Sequence, residues 1–248
     1  MKHWIYNWKK TLLMVVNFLL AVYLFFSITS FNQPVDGDKQ VCSQVKIHIK
    51  DAVVDGYLNA NEIKLILQRA KLYPLAQPLE TIDARQIEDV LKSSPFVNDA
   101  QCYKTQSGQV CIQLTQRTPV MRVKADNGDD YYVDNHGGVM PNTKYCSEIM
   151  IATGKVNRNY ACKVLTKLGN TIVNDKFWRN QIVQVNVLAD GTVELVPRVG
   201  EHIIYIGYPY GLKEKLARLE KFYRYGLSKA GWNKYSYINL AFENQIIC

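Results

Sequence analysis

Residues 83–120 read DARQIEDVLKSSPFVNDAQCYKTQSGQVCIQLTQRTPV, and the apolar period changes part-way along. Ile87, Val90 and Leu91 recur at helical spacing behind Asp83, a good N-cap, and Ser93-Ser94-Pro95 ends the helix. Past Pro95 the period drops to two: Val97 to Lys104 and Val110 to Gln116 alternate on either side of Ser107-Gly108, which predicts a β-hairpin. Upstream, Asn59 with Glu62 at the third helical position forms a capping box ahead of Ile63, Ile66, Leu67 and Ala70. Tyr73 to Leu79 holds two prolines and reads as a loop. Val41 to Ile49 alternates as a half-buried strand, with His48 on its solvated face. The order is strand, helix, helix, strand, strand.

Further upstream, Thr11 to Phe31 (TLLMVVNFLLAVYLFFSITSF) carries no charged side chain. As a helix it spans about 31 Å, the thickness of a bilayer's hydrocarbon core. Lys2, Lys9 and Lys10 precede it and no matching cluster follows, so the positive-inside rule keeps the N-terminus cytoplasmic and exports the rest. The run exceeds the roughly 7 to 15 apolar residues of a cleaved secretory signal, and Ser27 to Gln33 offers no Ala-x-Ala-like site, so a retained anchor is expected. Asn32 to Gln40 is a polar linker.

Downstream of Pro119 the chain turns β-rich. Val120 to Lys124 and Tyr131 to Val133 flank Asn127-Gly128, and the turn Asp134 to Gly138 leads to Val139 and Met140. Asn159 to Val173 predicts a helix, and Ile182 to Leu188 with Thr192 to Pro197 a hairpin across Asp190-Gly191. Ile203 to Ile206 is a further strand. Leu212 to Tyr225 predicts a helix with Glu214–Arg218 and Glu220–Arg224 pairs, stopped by Gly226, and Tyr235 to Phe242 a closing strand.

The net charge of +8 is spread thinly, with Lys and Arg alternating with Asp and Glu, which argues against a nucleic-acid footprint. The six cysteines form no CxxC or zinc spacing. Cys102 and Cys111 flank the hairpin turn. A four-residue loop from Thr105 to Gly108 sets them opposite, and a two-residue loop makes them diagonal neighbours on one face; either suggests a disulfide or a buried thiol pair. Cys146 with Cys162 is a weaker pair.

Cys146, His136 and Asn142 are conceivable as a thiol-protease set, and Asp134, Asn135 and His136 as metal ligands. They crowd one turn, however, and Asn, His, Gly and Gly are what a tight turn requires. His202 reads as a strand-edge residue. There is no Gly-x-Ser-x-Gly elbow, Ser-x-x-Lys, HExxH or phosphate loop. No catalytic, metal or cofactor residue is therefore assigned.

Three segments carry a family resemblance. Ile82-Asp83, Ile87, Leu91, Pro95, Val97 and Ala100 run on to Val110, Ile112 and Leu114, then Arg117-Thr118-Pro119-Val120. Tyr132-Val133-Asp134 is followed by Gly137 or Gly138, Val139 and Pro141. Ile206-Gly207, Leu216 and Leu219 precede Tyr237-Ile238-Asn239-Leu240. In that order they resemble the FtsQ/DivIB cell-division proteins. Phe96 in place of Trp, Gln116 before Arg117 and the long Tyr73 to Leu79 loop depart from the pattern.

The resemblance implies an α+β fold: a cytoplasmic tail (1–10), a single transmembrane helix (11–31), a linker and POTRA domain of β-α-α-β-β order (32–118), and a β-domain with a mixed sheet and flanking helices (119–248). It implies a non-enzymatic divisome scaffold without cofactors, in the bacterial inner membrane at the division site, whose periplasmic part binds FtsB and FtsL. The alternative from another class is a membrane-tethered periplasmic hydrolase. It further implies strand addition by FtsB beside the segment Tyr235, Ser236, Tyr237, Ile238, Asn239, Leu240, Ala241 and Phe242. There the alternation puts Ile238, Leu240 and Phe242 on one face and Tyr235, Tyr237 and Asn239 on the other. Tyr235 and Tyr237 are then the expected anchors, although the segment also reads simply as the last core strand.

A reporter fused after Cys248 should be active only if exported, and the mature protein should retain Met1. Cytoplasmic reporter activity, or an N-terminus beginning near Phe31, contradicts this topology.

Overall fold

The computed structural model describes residues 8–31, 40–50, 58–142 and 149–248. Helix α1 (Trp8–Phe31) contains an apolar span, Lys10–Ser30, long enough to cross a membrane, and none of that span is buried against the rest of the protein.

The next unit is built as the periodicity dictates. Strand β1 (Gln44–Ile49) is followed by α2 (Ala60–Arg69), α3 (Ala84–Lys92), β2 (Val97–Lys104) and β3 (Gln109–Gln116). Asn59 accepts from the Glu62 amide while Glu62 returns a bond to the Asn59 amide, and Asp83 accepts from the amides of Arg85 and Gln86. The caps satisfy N–H groups that the first helical turns leave free. The sheet order is β1-β3-β2, with β1 parallel and β2 antiparallel to β3. Both helices bury one apolar side, including Ile63, Leu67, Ile87 and Leu91, against Val97, Val110, Ile112 and Leu114. Glu88 reaches from α3 to accept from the Cys102 amide at 2.7 Å, which closes one donor of strand β2.

The hairpin corrects the cysteine pairing. Thr105 N donates to Gln109 O at 2.8 Å, so the loop holds three residues, with Gly108 at φ +77°. A loop of odd length shifts the register by one, setting Cys102 opposite Ile112 and Cys111 opposite Tyr103. The two cysteines therefore point to opposite faces and both are free. Burial, reinforced by the Glu88 charge, pushes the Cys102 thiol up to about 11, which leaves it unreactive. Cys162 is also free, and Cys146 lies outside the described residues.

The second unit is an eight-stranded sheet of order β11-β10-β9-β8-β7-β4-β5-β6. Its strands are β4 (Pro119–Ala125), β5 (Asp130–Asp134), β6 (Val139–Pro141), β7 (Ile151–Gly154), β8 (Ile182–Val187), β9 (Val193–Pro197), β10 (Ile203–Gly207) and β11 (Tyr237–Asn239). The pairs β4–β7, β7–β8 and β10–β11 are parallel and the others antiparallel, a mixed sheet in an α+β protein. One face is covered by α4 (Arg158–Tyr160), a π-helical turn (Ala161–Leu165), α5 (Thr166–Val173), α6 (Trp178–Gln181) and α7 (Leu212–Phe222). Leu165, Leu168, Trp178, Leu216, Leu219 and Tyr223 fill the space against Val123, Ala152, Val185, Leu195, Ile204 and Ile238. The other face carries the polar run Thr153, Asn186 and Glu194, bonded side chain to side chain.

Beyond α7 the helix does not stop at Gly226. It passes through a second π-helical turn (Tyr223–Leu227) into α8 (Ser228–Ala230) and ends at Gly231.

The two sheets meet where β3 runs into β4. Asp134 is buried: Oδ1 accepts from the amides of His136 (2.9 Å) and Gly138 (2.6 Å), and Oδ2 accepts from Arg117 Nη1 (3.1 Å). Arg117 also donates through Nε to Val97 O, and its amide donates to Phe96 O. A Cβ on Gly138 would overlap both Arg117 Nη1 and Asp134 Oδ2, so the close pair requires glycine there. Beside it Phe96 and Ile149 pack against the buried pair Tyr132 and Met140.

Asp134→Ala should cost about 3 kcal/mol, because it strands a guanidinium and two amides in a partly dry site. For a protein of this size that corresponds to a Tm lower by roughly 6 to 12 °C. Lys92→Ala, which breaks an exposed pair with Asp99, should change stability by less than about 1 kcal/mol. Equal melting of the two variants would rule out a special role for the buried carboxylate.

Candidate partner-binding edge

Strand β11 is the last strand on its side of the large sheet; among the described strands it pairs with β10, in parallel, and its other edge is met by an isolated bridge from Ile247 to Asn239. Its flanks hold it in register: Ile203 N donates to Ser236 O (3.0 Å) and Leu240 N to Tyr205 O (2.8 Å). In a parallel ladder the intervening residues turn their N–H and C=O the other way. Tyr237 and Asn239 therefore direct their backbone groups away from β10, toward the edge.

The eight residues of the expected site do not act as one strand, for only Tyr237–Asn239 is regular. Ile238 and Leu240 are fully buried, as the alternation requires. Tyr237, 40% exposed, stacks on Tyr205 with ring centroids 6.0 Å apart and 24° between planes. Tyr235 behaves differently from the expectation. It is half-buried, packs against the core and lies 6.1 Å from the Phe222 ring, because the chain is still arriving from α8 and has not reached the sheet. Phe242 has left the strand and is 48% exposed rather than inward. Ser236 and Ala241 are exposed at the two ends.

Two cations on α7 hold this end of the sheet. Lys215, nearly buried, donates to the carbonyls of Ile206 (2.8 Å) and Tyr208 (2.9 Å) and sits 4.8 Å from the Tyr210 ring centroid. Burial, aided by the Arg218 charge, lowers its pKa. Arg218 Nη2 donates to Leu240 O (3.2 Å) and Phe242 O (3.0 Å). The expected Glu214–Arg218 pair is thus replaced by backbone contacts, whereas Glu220–Arg224 forms at 2.6 Å.

Tyr223 is the centre of an aromatic cluster: its ring meets those of Phe177, Trp178, Trp232 and His202. His202, expected as a strand-edge residue, is buried, and its Nε2 lies 2.5 Å from the Tyr223 hydroxyl. Burial lowers the His202 pKa, opposed by the Trp232 carbonyl, and raises that of Tyr223. Of the other candidate constellations, the thiol-protease set includes Cys146, which lies outside the described residues, and the metal set centres on Asp134. The lone pairs of Asp134 are taken up by Arg117 and by the turn that His136 and Gly138 close.

A family model described as FtsQ/DivIB, C-terminal related matches residues 118–248, and a POTRA-like domain model matches residues 40–115. The chain belongs to the FtsQ/DivIB family. No curated protein matches the chain. FtsQ/DivIB membership gives it the domains of a cell-division protein, and its N-terminal apolar helix fits a single-pass membrane protein of that family.

Sequence reasoning missed Lys215 and Arg218, whose acceptors are carbonyls and leave no side-chain signature. It also missed the residues after Phe242. Ile246 packs against the core and Ile247 bridges back to Asn239, and two adjacent β-branched residues were the available sign of extended backbone.

Because His202 is neutral in the fold down to a lower pH than in the unfolded chain, its contribution is present above about pH 6.5 and is lost as pH falls below that value. Between pH 8 and 5 the wild type should lose more thermal stability than His202→Gln. Parallel losses in the two proteins would contradict the assignment.

Proposed function

We propose that this protein is a non-enzymatic scaffold of the bacterial divisome that captures an FtsB/FtsL-type coiled-coil partner at β11. In this reading residues 1–10 are a cytoplasmic tail and 11–31 the anchor in the inner membrane. Residues 32–118 then form the linker and POTRA domain, and 119–248 the partner-binding β-domain on the periplasmic side of the division site. What carries the proposal is the outward-facing backbone of Tyr237, next to Asn239 whose outward groups are bridged by Ile247 of the chain's own tail, at the end of the sheet in a family of division proteins. An extended segment that adds there gains affinity from main-chain hydrogen bonds and selectivity from the neighbouring side chains. Tyr237, stacked on Tyr205, supplies a rigid, half-exposed aromatic surface of the kind that dominates interfaces. No residue is assigned to catalysis; the Asp134 carboxylate is engaged by Arg117 and by the amides of His136 and Gly138.

The test is capture of division partners by the full chain from detergent-solubilised native membranes. Tyr237→Ala should weaken capture about thirtyfold, the equivalent of about 2 kcal/mol at a hot spot, with little change in melting. Tyr235→Ala should instead lower the melting temperature, and Leu240→Asp should unfold the domain. Normal capture by Tyr237→Ala would remove the edge from consideration.

A further inference from the structure

The outward edge of β11 is already partly occupied by this chain. Asn239 N donates to Ile247 O at 2.7 Å, and Ile247 N donates to Asn239 O at 3.1 Å, a closed antiparallel bridge. The reversal that brings the tail back is built into the side chains. Asn239 Oδ1 accepts from the Ala241 amide, Arg218 holds the Leu240 and Phe242 carbonyls, and Asn244 takes the left-handed conformation at φ +58°. Asn tolerates that region better than other residues with a Cβ. Ile246 is half-buried against the same core that contains Ile238 and Leu240, so a side chain as well as two backbone bonds fastens the tail.

The coverage is incomplete. The tail bridges at Asn239, while Tyr237, the other residue whose backbone faces outward, lies one repeat upstream of that bridge. From this we infer that residues 245–248 are an internal stand-in for a partner strand. On the reading above, from which this inference follows, a partner starts pairing at Tyr237 and then displaces Ile247 from Asn239. The replacing strand is antiparallel to β11, because it takes over both bonds of the same closed pair, and it carries an apolar residue where Ile246 now packs. A tethered segment competes as if present at about millimolar concentration, so it sets a threshold that weak or unspecific extended peptides do not cross.

The test compares the full chain in detergent with a form shortened after Asn244 and with Ile246→Asp, which keeps the tail but removes its apolar hold. The probe is a synthetic peptide of residues 241–248 carrying Cys248→Ser. The Asn239 amide should exchange with solvent deuterium at least tenfold faster in both altered proteins, while the Leu240 amide, bonded to Tyr205 O, stays protected and shows that β11 is still docked. The peptide should bind the shortened form at least tenfold more tightly than the full chain and restore protection at Asn239. Unchanged exchange at Asn239, or equal peptide binding by both forms, overturns the inference. The partner arm separates the two proposals. If shortening leaves partner capture unchanged while Tyr237→Ala weakens it, the gate is wrong and the edge stands. If neither change affects capture, the edge itself is wrong and the gate falls with it.

Discussion

The arrangement of the two sheets depends on the partnering of one buried carboxylate. Asp134 could not remain in a dry joint without donors on both oxygens, and Arg117 with the amides of His136 and Gly138 supplies them. Because the guanidinium also donates to Val97 O, and the Arg117 amide to Phe96 O, Arg117 fastens the start of β2 to the turn after β5. The strand that ends the first sheet therefore continues into the second with its direction set by hydrogen bonds, and not by a flexible linker. Gly138 belongs to this interaction through its missing side chain, since a methyl group would take the space in which guanidinium and carboxylate meet.

Much of this was legible beforehand because it rests on local rules. The caps at Asn59 and Asp83, the change of period at Pro95 and the turn at Asp190-Gly191 each act within a few residues, and each is found. The Arg117 and Asp134 motifs could be noticed separately, but that they touch is a tertiary fact. Strand β7, reading Ile-Ala-Thr-Gly, escaped because it is short and flanked on both sides by parallel neighbours, so it needs no polar alternation. Gly226 was read as a stop, although it serves a close approach: a Cβ there would sit 2.7 Å from the Phe222 ring, and the helix continues through a π-helical turn.

The site was less legible for a related reason. A strand's alternation says which residues point inward but not how many of them are paired. The chain reaches the sheet only at Tyr237 and leaves it after Asn239, so Tyr235 and Phe242 fall outside the regular part. The cysteine pairing failed on parity: one additional loop residue, accommodated by Gly108, sends the two thiols to opposite faces. His202 was read as a strand-edge residue, but it is buried with the Tyr223 ring packed edge-on against it, a contact between distant parts of the chain.

The parallel pairing of β10 with β11 has a consequence for assembly of the fold. Parallel neighbours cannot be joined by a tight turn, so the chain must travel through α7, the π-helical turn and α8 before it returns beside β10. The outermost strand closes a long loop whose cost is recovered only when Leu216, Leu219 and Tyr223 have found the core. An incompletely packed domain therefore lacks the β11 edge and leaves β10 as its outermost strand. The surface at which this protein would meet other chains is created by the same event that completes its own interior, so its availability reports on the integrity of everything before it.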